Sequence, residues 1–308
     1  MGTRCPTRRS SWRPRGRPLE GSRDAERTRP REEGDTMGSA AVQGELWGRA
    51  PRDWAELQEP KHAPLWHAML EAAGVREGSR VFDAGCGGGG AAVLAAERGA
   101  TVSGLDASAP LLEIARERLP NADFRIGDIE SLPFADGAFD AVIAACSVQY
   151  CADRIAALRE LRRVCAQGGR VVVGLWGVPE KVEYRTVFAA VRDALPEPPP
   201  GKGPFELSVE GVLPGLIAEA GLAVLARGEA ACPFHYPTFE LFWRANVAAG
   251  PLQAALRQVA EEELRERVRN ALAALHGPDG SLVFVNTFQY VVAQPQAPHG
   301  PGVSTPPA

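Results

Sequence analysis

The sequence predicts an α/β fold in which a mostly parallel sheet carries helices on both faces. Three observations carry that prediction. Short apolar runs alternate with helix-length segments whose apolar residues recur every three to four positions, from Pro64 to Leu175. The runs are apolar nearly throughout, as strands covered on both faces must be. The turn after the first run holds five glycines in the six positions from Gly85 to Gly90, which suits a strand-to-helix turn that backbone or ligand approaches closely.

Each element has its own local reason. Pro64 opens a helix with Leu65, Trp66, Met69, Leu70 and Ala73 on one face, and Gly74 closes it. Arg80 to Gly85 is a buried strand, Ala91 to Arg98 a helix closed by Gly99, and Thr101 to Leu105 a second strand ending at Asp106. Ser108 N-caps the helix bearing Leu111, Leu112, Ile114, Ala115 and Leu119. Phe124 to Gly127 and Phe139 to Ala145 are strands three and four. Asp153 caps a helix with Ile155, Leu158, Leu161 and Val164 inward, and Gly168-Gly169 turns into a fifth strand, Arg170 to Leu175. Beyond it the sequence predicts a helix around Val187 to Leu195 ended by the prolines from Pro196. A helix over Val209 to Ala220, a strand over Leu222 to Ala230, one long helix from Leu252 to Leu275 and a last strand over Leu282 to Val292 follow.

The chain has 308 residues, 45% of them hydrophobic, enough for a sizeable core. Its net charge of -4 is unevenly placed, because residues 1–36 hold ten Arg, no Lys and six acidic residues, leaving -8 on the remainder. An acidic body disfavours nucleic acid or an anionic membrane as the main partner. Residues 1–36 contain only five hydrophobic residues, too few to offset the entropy of ordering. They lack the apolar core of a secretory signal. Two readings remain, upstream sequence ahead of an alternative start at Met37, which we favour, or a basic interaction arm. The expected organisation is a disordered arm over 1–44, a folded domain over 45–293 and a disordered tail over 294–308. Six cysteines without metal-ligand spacing, and no apolar run near the roughly 18–20 residues of a membrane span, point to a cytoplasmic protein without a structural metal.

The chemistry concentrates at three strand ends. The glycine turn Asp83-Ala84-Gly85-Cys86-Gly87 presents amides at a helix N-terminus. Asp106, about twenty residues on, can accept from both hydroxyls of an adenosine ribose. Asp83 on the strand itself is poorly placed for a pyrophosphate but suits the ammonium of a methionine moiety. Asp128 can accept from an adenine amine while the Ile129 amide donates to a ring nitrogen. A nicotinamide-dinucleotide oxidoreductase is thus the weaker alternative, and a non-catalytic cofactor-binding module the third.

The segments VFDAGCGGGG, VSGLDAS, FRIGDIESLPFADGAFDAVIA and LRRVCAQGGRVVV, in that order from Val81 onward, resemble the class I S-adenosylmethionine-dependent methyltransferases. The likeness is strongest to the type 11 branch of ubiquinone and menaquinone biosynthesis. The resemblance implies a Rossmann-like seven-stranded sheet whose last strand alone runs antiparallel, with S-adenosyl-L-methionine as cofactor. It implies that Asp83, Gly85, Cys86 and Gly87 hold the methionine end, Asp106 the ribose, and Asp128 with Ile129 the adenine. Ala107 would pack on the adenine ring, Cys146 would lie near the sulfonium, and Trp54 would close over the cofactor or anchor its own segment. Where many relatives carry histidines, this chain has Cys146-Ser147-Val148-Gln149-Tyr150, so no base is obvious.

Methyl transfer needs alignment and water exclusion, and a base only if the acceptor arrives protonated. The sequence offers His62, His67, His235, Tyr150 and Tyr236, with the pair after Pro233-Phe234 as a candidate pocket lining and His67 as a surface residue. Segments 177–210 and 232–276, rich in Phe188, Phe205, Phe239, Phe242 and Trp243, are expected to form an apolar pocket for a small-molecule acceptor.

Overall fold

The computed structural model describes residues 39–198 and 203–296. An N-terminal run of short helices, α1 (Ala40–Trp47), α2 (Pro51–Asp53), a π turn over Trp54–Gln58 and a 3-10 turn over Glu59–His62, leads into α3 (Ala63–Ala72). Then β1 (Arg80–Ala84), α4 (Gly90–Glu97), β2 (Thr101–Asp106), α5 (Ala109–Arg118), β3 (Asp123–Ile126) and β4 (Phe139–Ala145) alternate as the periodicity requires. The chain continues through α6 (Arg154–Val164), β5 (Cys165–Trp176), α7 (Arg185–Ala194), α8 (Val212–Glu219) and β6 (Leu222–Ala231). It ends with β7 (Phe234–Tyr236), α9 (Phe239–Val247), α10 (Gly250–Ala255), α11 (Glu261–Ala271), β8 (Leu282–Phe284) and β9 (Thr287–Pro295).

Seven strands form one sheet in the order β3-β2-β1-β4-β5-β9-β6, and β7 pairs with β8 apart from it. Strands β1 to β5 pair in parallel, while β9 is antiparallel to both its neighbours, β5 and β6. The last strand alone therefore runs antiparallel, and it lies inside the sheet. The apolar strands alternate between two cores. Val81, Ala141, Ile143 and Val172 face one with Leu65 and Met69 of α3 and the small residues of α4, which lie close to the sheet. Phe82, Val142, Val171 and Val173 face the other with Leu158 and Leu161 of α6 and Ile217 of α8. Three layers result, with the C-terminal ends of β1, β2 and β4 converging beside the glycine turn. The expected caps are present: Ser108 accepts from the Leu111 amide and Asp153 from the Ala156 amide.

Five boundaries differ from expectation. Strand β5 starts at Cys165, which pairs with Phe139, so Gly168 and Gly169 lie within it and do not precede it. Helix α1 begins at Ala40, ahead of residue 45, and the rest of the expected arm lies outside the described residues. Strand β9 runs to Pro295, because Leu222 of β6 pairs with Pro295, so residues 294–296 are not tail; 297–308 lie outside the described residues. The long helix is two, since Ala260 is extended at the N-cap of α11, where Glu261, Glu262 and Glu263 favour a new helix start. The strand over Leu282–Val292 is also two. Buried Asn286 interrupts it, its side-chain oxygen accepting from the Tyr184 amide and its carbonyl from the Cys232 amide.

Candidate active site

Five of the six amides of the glycine turn are already engaged. Gly85 and Cys86 donate to the Leu105 carbonyl, and Gly89 donates to Cys86. Gly87 donates to Asp106 Oδ2 at 2.8 Å, and Gly88 to Glu59 Oε1 at 2.7 Å. Gly85, Gly87 and Gly89 all have positive φ, and at the first two a side chain would also meet the site. Gly85 has φ +77°, and a Cβ there would stand 2.4 Å from that of Ser147; Gly87 has φ +53° and would meet Glu59. With five of the six amides bound and Glu59, Asp83 and Asp106 around the turn, a pyrophosphate finds few donors and an unfavourable field. The dinucleotide alternative fails on that geometry.

The same features suit a cation and a ribose. Asp83 is 2% exposed, and its Oδ2 has no hydrogen-bond partner. Burial, and then the charges of Glu59 and Asp106, push its carboxyl up to about 8. An ammonium beside Oδ2 would supply what the site lacks. Asp106 is held by the Gly87 amide and by the Ser108 amide at 2.8 Å, one on each oxygen, which leaves each oxygen a second acceptor position for two vicinal hydroxyls. Burial raises its carboxyl, while those two amides and that of Ala107 counter it. Asp128 spends Oδ1 on the Glu130 amide at 2.9 Å. These observations fit S-adenosylmethionine, with Asp83 at its amino group and Asp106 at its ribose.

All ten residues that the sequence assigns to the cofactor line one cavity: the turn residues, Asp106 with Ala107, Asp128 with Ile129, Cys146, and Trp54 above the turn. Cys146 closes β4 at φ +56°, the left-handed region, which is costly for a non-glycine residue and frequent at functional sites. Burial pushes its thiol up to about 12, so it is a neutral wall atom and no nucleophile at ordinary pH. The Trp47 ring meets Trp54 edge-on at 4.6 Å and Tyr150 at 5.6 Å, closing the cavity over the turn.

The base candidates separate. Tyr150 lines the cavity, but burial raises its phenol, which stays protonated. His235 and Tyr236 do not line it. They lie on β7, where His235 points outward and Tyr236 is fully buried, donating its hydroxyl to Gln58 beneath the Lys61 ammonium. His67 is exposed beside Arg98. Of the five aromatic residues expected in the acceptor wall, only Phe188 reaches the cavity; Phe239, Phe242 and Trp243 pack inward from α9, and Phe205 packs on Phe188. The wall instead carries Trp176, stacked at 5.5 Å on Tyr184, whose hydroxyl donates to Asn246, with Pro251 and Leu252.

Glu59 is the functional residue that sequence reasoning missed. It is 4% exposed, pairs with Arg118 at 2.5 Å and accepts from Gly88, while Arg118 also donates to the carbonyls of Gly88 and Ala55. One ion pair thus joins the N-terminal segment to the turn. Burial raises the Glu59 carboxyl, and Arg118 opposes the shift. Arg118→Ala leaves this charge buried and unpaired, with an expected loss of about 3–5 kcal/mol in a denaturant titration. Adding Glu59→Gln is expected to restore part of it, since a neutral amide costs less to bury.

Among the described residues no Lys or Arg lines the cavity, and no His, Cys, Asp and Glu side chains cluster to hold a metal. No helix among them is long and apolar enough to cross a membrane. Residues 82–173 match the model of a methyltransferase domain family. An uncharacterized protein of Mycobacterium tuberculosis is 31% identical over 262 residues, covering 78% of this chain and 93% of the relative. A demethylmenaquinone methyltransferase of Beutenbergia cavernae is 35% identical over 125 residues, 40% of this chain and 52% of its own length. The crystal structure of the YcgJ protein from Bacillus subtilis superposes with a TM-score of 0.53 at 22% identity, covering 76% of this chain and 98% of that one, a likeness of fold. Motif order, sheet order, the carboxylates at three strand ends and the full-length relative agree: the chain belongs to the class I S-adenosylmethionine-dependent methyltransferases.

Proposed function

We propose that the protein transfers the methyl group of S-adenosylmethionine to a small, largely apolar and uncharged acceptor. S-adenosylmethionine supplies an activated methyl group on a positively charged sulfur. The observation that carries the acceptor class is the continuity of one cavity from the carboxylates of the turn to a wall of Trp176, Tyr184, Phe188 and Leu252, with no Lys or Arg among the described residues that line it. Such a wall orients a small apolar molecule and excludes water. Its described residues include no Lys or Arg to track a phosphate backbone. The name of the Beutenbergia relative does not carry an acceptor across, because that similarity covers 40% of this chain.

Incubation with deuteromethyl-labelled S-adenosylmethionine and a cell extract, split by mass into small molecules and macromolecules, tests the reading. Label is expected in the small-molecule fraction, in compounds that partition into organic solvent. Label confined to protein or nucleic acid overturns the acceptor class.

A further inference from the structure

The buried residue that the cofactor residues leave unexplained is His62. It closes the 3-10 turn over Glu59–His62, is 8% exposed and lines the same cavity as Asp83 and Cys146. Its Nδ1 lies 3.3 Å from the Glu59 carbonyl of its own turn, with the Gln58 carbonyl also acting on the ring. The Glu59 carbonyl at Nδ1 favours the proton on that nitrogen and leaves Nε2 as a lone-pair acceptor, for which the described residues offer no donor. The elements packed on the ring bring only uncharged aromatics: Trp54, Trp66, Trp176, Phe234 and Phe288, with centroids 5.3–6.4 Å away. The one cation that acts on it is neighbouring Lys61.

We propose that His62 Nε2 is the general base of this enzyme and that the acceptor is therefore a neutral hydroxyl compound, which must lose a proton as it is methylated. The inference rests on the methyl-transfer reading above. The acceptor oxygen gives an electron pair to the methyl carbon while the carbon–sulfur bond breaks and its pair returns to sulfur. The oxygen's proton then passes to Nε2 and on to solvent, so the charge that leaves the sulfonium ends on the imidazole. Burial in the aromatic nest lowers the imidazole to about 4, which keeps it unprotonated at neutral pH. That basicity suffices, since a hydroxyl becomes strongly acidic only as its oxygen gains the methyl group. The same cavity wall offers a second polar group: both amide atoms of Gln149 are buried without a hydrogen-bond partner in good geometry, with the Tyr150 phenol next to it in sequence.

The test uses the full chain with 15N-labelled histidine, loaded with S-adenosylhomocysteine, and His62→Gln to assign the ring. Long-range 1H–15N spectra are expected to show His62 neutral and protonated on Nδ1 at pH 7. Saturating 2-naphthol should shift Nε2, and naphthalene should not. With S-adenosylmethionine, His62→Gln is expected to slow 2-naphthol methylation by about 10²- to 10⁴-fold at unchanged S-adenosylhomocysteine affinity, which also reports an intact fold. A ring protonated on Nε2, an Nε2 unmoved by 2-naphthol, or equal naphthol turnover in the variant overturns the assignment. Failure of the unmodified chain to bind S-adenosylhomocysteine would instead sink the methyl-transfer reading, leaving the tautomer to be read on its own.

Discussion

Asp106→Ala is expected to weaken S-adenosylhomocysteine binding by about 10²- to 10⁴-fold in a calorimetric titration. The two ribose hydroxyls would lose one charge-assisted hydrogen bond each, at about 1.5–3 kcal/mol apiece. The turn suffers as well, because the Gly87 and Ser108 amides both donate to this carboxylate and would be left without an acceptor. Asp106→Asn separates the two effects. An amide oxygen can still take one of the backbone donors while its NH2 repels the other, so a loss between that of Ala and that of the native chain is expected. An affinity unchanged in the Ala variant would show that Asp106 shapes the turn without holding the nucleoside.

The sheet and its caps were legible because their causes are local. Phe139 to Ala145 is one apolar run, and Ser108 and Asp153 stand three residues before the amides they accept from. The three strand-end carboxylates were legible for a related reason, since each stands within two residues of the end of an apolar run: Asp83 inside β1, Asp106 as the last residue of β2 and Asp128 two residues past β3. The Glu59–Arg118 pair was not, because its partners lie 59 residues apart and nothing in either neighbourhood marks them. Helix α1 was missed because Ala40–Trp47 carries no apolar stripe; its place is set by tertiary contact, Gly44 lying so close on Ala107 that a Cβ would stand 2.2 Å from the Ala107 carbonyl oxygen. His235 and Tyr236 illustrate a third limit. Which of two adjacent residues faces inward depends on the pairing of β7 with β8, whose Leu282 to Phe284 lie far along the chain. His62 was one of five candidate bases in the sequence with nothing to single it out, since its contact with the Glu59 carbonyl and its aromatic nest are products of the fold.

Asp83→Asn is expected to stabilise the empty protein and disable the loaded one, and the pH dependence of the native chain should show why. In the empty site, burial and the nearby Glu59 and Asp106 push the Asp83 carboxyl up to about 8, so at pH 7 it is mostly protonated. A bound ammonium favours the ionised form, and binding at pH 6–7 must therefore release close to one proton. That proton appears as a difference in binding heat between phosphate and Tris buffers, and affinity should climb with pH and level off above about 8. Stability runs the other way. A carboxyl whose folded value lies above its unfolded one, near 4, contributes stability in full below that unfolded value and loses it as pH rises through about 8. In Asp83→Asn this decline is absent, and at pH 8.5 the empty variant should exceed the native chain by about 1–3 kcal/mol, the cost of an unpartnered buried group. Its affinity for S-adenosylmethionine should fall by about 10- to 100-fold, for the loss of one charge-assisted hydrogen bond. A variant that binds as well as the native chain, or binding without proton release, would remove Asp83 from the cofactor's amino group. The opposite signs distinguish this residue from a structural one, because only a group kept strained for its ligand makes the empty fold better when it is removed.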